Sequence, residues 1–393
     1  MQVTGVICEY NPFHRGHALH LQKARALCGA DYIVCAMSGA VTQRGVFARH
    51  DKWTRTRMVL EGGADLVIEL PARFSAAPAP EFALGGVSLL TALGCITHLS
   101  FGCEEESLPF LSAAADLLAR EPDEFKAALR EGLSQGLSYP RARAQALRQT
   151  LRIDGVAEAV SRPNAALALE YLRALPEGIL PVPVVREGSG YHDKTLGVLS
   201  SATAVREALA RGDRDAALAA VPSPKLLVRS ETSGDIHEEE ALTQALLYRL
   251  RTMDAAALRE IAGMDEGLEY RFISAAKTAA TRGELLSLIK SRRYTHARLS
   301  RLCAHILLGV TRDFTKAHRA PTYARVLGFK KEAAPLLRAI KEHSSIPLVT
   351  KTAGFDDPLF MLDVRAQDLW SLGAASPACR ACGRDYTTSP VIL

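Results

Sequence analysis

The 393-residue sequence predicts an α/β fold in two parts: a Rossmann-like parallel sheet in the first half, then a mainly α-helical, basic half. Three observations carry that expectation. Four short apolar runs, 3–8, 32–37, 66–70 and 97–101, begin roughly thirty residues apart, which is the spacing of successive βαβ units. The stretches between them read as helices with start and stop signals. From Glu238 to Pro321 the chain is almost wholly helix-like, dominated by Ala, Leu, Arg and Glu.

Taken in order, 17–28 reads as a helix ending at Gly29, 52–61 is capped by Asp51 and closed by Gly62 and Gly63, and 81–93 ends at Gly94. Strands alternating with such helices give a parallel sheet covered on its faces. Ligands of these sheets sit beyond the carboxyl ends of the strands, so the loops after Cys8, Met37, Leu70 and Phe101 should share one rim. After residue 107 the pattern turns helical, at 111–119, 124–133 and 141–151. A short extended segment returns at 181–186 before 200–210 reads as a helix opened by hydroxyls. The expected domains are therefore 1–222 and 223–393. In the second, Leu299, Leu302, Cys303, Ile306, Leu307 and Val310 share one helical face, and Arg298, Arg301 and His305 another. The tail after Asp356 carries β-like words such as 359–364.

Composition narrows the function classes. Apolar residues at 48% and charged residues at 23% are ordinary globular values and exclude a mainly disordered chain. No apolar run reaches the eighteen or so residues that a membrane-spanning helix needs. The start lacks a basic region, and Glu9 interrupts its apolar stretch, so a cytoplasmic location is expected. The eight cysteines are thinly spread and read as reduced thiols; Cys379 and Cys382 form a CxxC pair with no second pair to complete a zinc site, so no metal centre is predicted. Net charge is +5, yet residues 290–331 hold eleven Lys or Arg against one acid, Asp313. That stretch supplies all of the excess.

Two words carry chemistry. His14-x-Gly16-His17 follows a strand and opens a helix, where unpaired N–H groups and the helix dipole attract an anion such as phosphate. Gly16 lets a ligand approach the backbone, and two imidazoles three residues apart can stabilise charge on a phosphoryl oxygen. The bland alternatives are a metal half-site or exposed loop histidines. The second word, Ser200-Ser201-Ala202-Thr203-Ala204-Val205-Arg206, places hydroxyls at a helix start with Arg206 one turn inside, suited to terminal phosphates but also readable as an ordinary N-cap.

Together these words resemble the nucleotidylyltransferase superfamily. The longer runs Glu9-Tyr10-Asn11-Pro12-Phe13-His14-x-Gly16-His17, Met37-Ser38-Gly39, Gln43-Arg44-Gly45, Asp51-Lys52-Trp53-Thr54-Arg55 and Asp65-Leu66-Val67-Ile68-Glu69-Leu70-Pro71 resemble the bacterial tRNA(Met) cytidine acetate ligase family. So do Phe101-Gly102, Pro163-Asn164, Arg186, Tyr191-His192-Asp193, Glu266-Gly267-Leu268-Glu269 and the stretch from Arg293 to Gly309. The resemblance runs to about residue 330, with Ala40 standing where the pattern has asparagine.

The resemblance implies a nucleotidylyltransferase domain followed by a helical tRNA-binding domain. It implies that acetate attacks the α-phosphate of ATP to give acetyl adenylate and pyrophosphate, and that the acetyl group passes to the wobble cytidine of elongator tRNA(Met), with magnesium accompanying ATP and no acetyl-CoA. His14 and His17 would be catalytic. ATP contacts would run from Ile7 and Cys8 through Glu9, Tyr10, Asn11, Pro12, Phe13, His14, Gly16 and His17 to His20. Gly102, Asn164, Arg186, Glu187, Ser201, Thr203 and Arg206 would complete them. Gln43 and Arg44 could orient phosphate or acetate, and Lys290, Arg292, Arg293, Tyr294, Arg298 and Arg301 would meet tRNA, where Tyr294, Phe314, Tyr323 and Phe329 interleave the basic residues for stacking. Two rivals stay open: an adenylyltransferase acting on a small phosphate-bearing metabolite, and a non-catalytic RNA-binding protein with an ATP-sensing pocket.

Overall fold

The computed structural model describes residues 1–104, 107–185 and 201–393. Arg186, Glu187, Tyr191, His192, Asp193 and Ser200 lie outside the described residues. Five parallel strands, β1 (Val3–Cys8), β2 (Tyr32–Ser38), β3 (Leu66–Leu70), β4 (His98–Cys103) and β5 (Leu180–Val185), form the order β5-β4-β1-β2-β3. The helices Arg15–Cys28, Lys52–Glu61 and Ala79–Ala92 connect the first four. Strand order reverses where β4 pairs with β1 on the side away from β2, so the carboxyl ends of β1 and β4 bound the crevice in which such sheets hold ligands. The caps agree with the sequence: Asp51 accepts from the backbone of Trp53 and Thr54, and Gly29 closes the first helix in the left-handed region at φ 55°.

The end of the chain departs from the expected helical domain. After a core of helices packed through residues such as Leu246, Phe272, Leu286 and Leu302, the chain returns to the sheet as β6 (Ala324–Phe329), β7 (Leu348–Val349) and β8 (Val391–Ile392). β6 runs antiparallel to β3, while β7 and β8 pair parallel with β6. The segment 223–393 is thus helical in its middle and sheet-forming in its tail. β6 escapes a pattern reading because it carries a buried arginine. Arg325 is 2% exposed and pairs with Glu69 and Asp385, and Lys52 Nζ lies 2.7 Å from Glu69 and 2.6 Å from Asp385. Lys52 and Glu69, from two of the longer sequence words, therefore serve architecture rather than ligand.

The β-like reading of 359–364 is corrected as well. These residues belong to the helix Pro358–Leu372, whose start is fixed by Asp357 accepting from the Leu359 and Phe360 amides, with proline at the first helical position. Their apolar density reflects burial on a helix, not a strand. The stacking role for the aromatics is also corrected: Tyr323 is wholly buried, Tyr294 is 4% exposed, and Phe314 and Phe329 pack against the main core.

Candidate active site

β1 ends at Cys8, and the chain turns through Tyr10 in the left-handed region (φ 49°) before His14 caps the helix Arg15–Cys28. His14 Nδ1 accepts from the Gly16 amide at 3.1 Å, and His17 Nδ1 accepts from the His14 amide at 3.3 Å, a reciprocal capping box built from imidazoles. The two rings stack, with centroids 3.5 Å apart and planes 28° from parallel. Because each Nδ1 accepts, the proton of each neutral ring sits on Nε2, an assignment that follows from the hydrogen bonds. The helix start thus turns two imidazole Nε2–H edges and the positive end of its dipole to the cavity, while the Gly16 amide is held by His14 Nδ1 and the His17 and Ala18 amides by the His14 carbonyl. Arg15 turns away and donates to the Ala219 carbonyl.

The second word closes on the first. Ser201 caps the helix Ala202–Ala210, and Arg206 donates to Thr203 Oγ1 (3.3 Å) and to the carbonyl of Asn11. Burial, together with the like charge of Arg44, pulls Arg206 below its ordinary pKa. Arg55, fully buried, donates to the carbonyls of Glu9, Ser38, Gly39 and His50, which ties the loops after β1 and β2 into one rim. Burial lowers its pKa to about 10.

The Gln43-Arg44-Gly45 loop links this rim to the basic helix His296–Leu308. The Gln43 amide donates to Glu9 Oε1 at 2.5 Å, and the Gln43 carbonyl accepts from Arg301 at 3.0 Å. Gly45 has φ 70° and lies so close to the helix that an added Cβ would stand 2.4 Å from the Arg301 backbone; both conditions demand glycine. Ser300 Oγ donates to the Gly45 carbonyl at 3.1 Å.

These elements surround one cavity of about 1250 Å³. Its walls include Ile7, Cys8, Glu9, Tyr10, Asn11, His14, Gly16, His17 and His20 from the first word, Gly102 and Asn164, Gln43 and Arg44, and Ser201, Thr203 and Arg206 from the second. Arg293, Arg298 and Arg301 come from the basic segment. Pro12 and Phe13 do not line it; Phe13 is fully buried among Leu21, Met58 and Val59, where it supports the turn from below. Lys290 and Arg292 are exposed outside the cavity, and Tyr294 is a prop, with the Arg298 guanidinium 5.1 Å over its ring. His305 does not join the basic face: it is 8% exposed, its two ring nitrogens each 2.9 Å from a carbonyl, of Ala262 and Ala76. Sequence reasoning missed Arg73, Arg312 and Lys316 in the wall, and Glu104, whose carboxylate accepts from the Asn164 side chain (2.7 Å) and the Ala165 amide (3.2 Å). The signal for Glu104 was its place at the end of β4, beside Gly102.

Electrostatics of the wall are set by burial. Arg301 is held down at about 10, first by burial and then by Arg298. Arg298 lies 3.7 Å from Asp265 and 3.6 Å from Glu266, so the Glu266 word orients the arginines. Among the described residues no group of three His, Cys, Asp or Glu side chains is placed to hold a metal ion, and no helix is long and apolar enough to cross a membrane.

The HIGH Nucleotidyl Transferase family profile matches residues 1–384. The tRNA(Met) cytidine acetate ligases of Acetivibrio thermocellus and Geobacillus sp. are 38% and 36% identical to this chain, over 416 and 404 residues, with 100% of both chains covered in each comparison. The chain belongs to the tRNA(Met) cytidine acetate ligase family. Two crystal structures of Thermotoga maritima TmcAL, one bound with alpha-thio ATP and one apo, superpose with TM-scores of 0.93 and 0.94 at 31% identity over 100% of each chain. The similarity to ligases of this family runs through the tail, beyond the point near residue 330 where recognisable words end, because the tail completes the sheet. Against the ligase pattern, Ala40 sits in an apolar cluster with Val41, Ala304 and Trp370 and has no side-chain polar contact to offer.

Proposed function

We propose that this chain joins acetate to the wobble cytidine of elongator tRNA(Met) at the expense of ATP, forming N4-acetylcytidine, AMP and pyrophosphate. The observation that carries the reading is the single cavity: the His14 and His17 turn and Arg206 lie on one wall, and Arg293, Arg298 and Arg301 of the basic helical segment lie on another. A small-molecule adenylyltransferase has no use for the second wall.

The chemistry follows from the donors. With the α-phosphate at the start of the helix Arg15–Cys28, the Nε2–H groups of His14 and His17 and the positive end of the helix dipole meet the charge that builds as an acetate oxygen attacks phosphorus and pyrophosphate leaves. Positioning and charge neutralisation supply most of the barrier lowering in such transfers. Arg206, Ser201 and Thr203 suit the β- and γ-phosphates. The chain offers magnesium no carboxylate cage among its described residues, so the ion would enter as part of the MgATP substrate. Acetate, rather than acetyl-CoA, is the acyl donor that adenylation requires.

Pyrophosphate exchange into ATP tests the first half-reaction. Exchange that depends on acetate is the expected result; exchange that ignores acetate but responds to a phosphorylated metabolite would overturn it. For the second wall, Arg298→Glu is expected to weaken tRNA binding about tenfold or more and to reduce the slope of log affinity against log salt by about 1, with ATP binding retained. Equal binding by filter retention across a salt series would mean that this face is only solvated.

A further inference from the structure

Transfer of acetyl from the adenylate to an exocyclic amine needs a proton acceptor, and the motifs do not name one. We propose that Glu9 is the general base of that second step, a deeper assignment that rests on the ligase reading above. Among the described residues, four carboxylic acids line the cavity: Glu9, Glu81, Glu170 and Asp265. Glu81 lies 2.6 Å from Arg73, Glu170 is clasped by Arg143 and Arg173, and Asp265 lies 2.5 Å from Arg312. Glu9 alone of the four has no Lys or Arg within ion-pair distance among the described residues. One of its carboxylate oxygens is fixed by the Gln43 amide, and the other has no hydrogen-bond partner among the described residues. The cavity histidines are otherwise engaged: His20 with Ser100, His305 with two carbonyls, and His14 and His17 through Nδ1 with the backbone.

Position points the same way. Glu9 stands at the carboxyl end of β1, just before the histidine turn, and the Gln43 peptide bridges it to Arg301: amide to Glu9, carbonyl to Arg301. It therefore sits between the wall suited to the adenylate and the wall suited to RNA. In the step, the N4 lone pair of cytidine forms a bond to the acetyl carbonyl carbon, the bond from that carbon to the phosphate oxygen breaks, and AMP leaves with the electron pair. The N4 proton passes to the Glu9 carboxylate and from there to solvent. Burial raises the affinity of Glu9 for a proton above that of an ordinary carboxylate, and the Gln43 amide, Arg44, Arg206 and Arg55 oppose it without cancelling it. Tyr171, which lines the same cavity, is pushed up from the ordinary phenol value first by burial and then by the charge of Glu9. A carboxylate tuned upward is the better base near neutrality.

The test supplies chemically made acetyl adenylate to the enzyme and tRNA and follows acetyl transfer against pH. Wild-type transfer is expected to rise as pH passes through the Glu9 titration and then level off. Glu9→Gln, which keeps an oxygen for the Gln43 amide, is expected to slow transfer by about 10² or more and to lose that rise. Glu9→Asp is expected to retain a rise at reduced rate, and a thermal shift with alpha-thio ATP reports that each variant is folded. Glu9→Gln transferring at the wild-type rate, or slowed with the wild-type pH profile, would overturn the assignment. A wild type that transfers nothing from acetyl adenylate would overturn the ligase reading, and the base with it.

Discussion

His17→Ala is expected to lower acetate-dependent pyrophosphate exchange by about 10²- to 10³-fold, the loss typical when one preorganised donor is removed from a developing oxyanion, or about 3–4 kcal/mol of transition-state stabilisation. The ring supplies an Nε2–H aimed from the helix start. Its Nδ1 takes the His14 amide, and its face stacks on His14 at 3.5 Å, so each ring holds the other in register. The capping bond is worth roughly 1 kcal/mol of stability, too little to unfold the chain. His17→Ala should therefore melt near the wild-type temperature while chemistry collapses. Retained exchange in a folded variant would remove the histidine from the mechanism, and a collapse of folding would show that the turn is needed as architecture.

Lys52→Met is expected to destabilise the fold by about 3–5 kcal/mol, because it leaves Glu69 and Asp385 with less than their charge compensated in a dry site. Lys52, Glu69 and Asp385 are each within 2% of complete burial in side-chain exposure, and Arg325 is the remaining cation. The network joins β3 and the helix Lys52–Glu61 to β6 and the final helical turn Arg384–Thr387, so its loss should release the tail from the sheet. Burial alone would raise Asp385, but Lys52 and Arg325 outweigh it and hold the carboxyl below its ordinary value. The stability from this acid is thus present above its unfolded pKa and lost as pH falls through the folded one. Urea unfolding of Lys52→Met with a midpoint equal to wild type would contradict this account.

How much of this was legible in the sequence depends on what each residue packs against. The βαβ frame was readable because its strands are short apolar runs and its helices carry local signals, Asp51 and Gly29 among them. The histidine and serine words were readable because a strand end and a helix start bound them. β6 was not, since Arg325 becomes compatible with a buried strand only through Glu69 and Asp385, which come from distant parts of the chain. The run after Asp357 was misread because dense apolar residues fit a buried helix as well as a strand, and only the Asp357 cap decides. In the basic segment charge was legible but exposure was not: Tyr323 and His305 look like RNA contacts by type and lie in the core by packing. Glu9 was readable as part of a word. That its carboxylate, unlike those of Glu81, Glu170 and Asp265, is left without an ion pair among the described residues could be seen only in three dimensions.

The most direct measurement is mass analysis of tRNA nucleosides after incubation of the enzyme with tRNA(Met), ATP and isotopically labelled acetate. The predicted result is labelled N4-acetylcytidine at the wobble position, formed with one AMP and one pyrophosphate per acetyl group and dependent on ATP. Unlabelled or absent acetylcytidine, with acetate and ATP both supplied, would contradict the account.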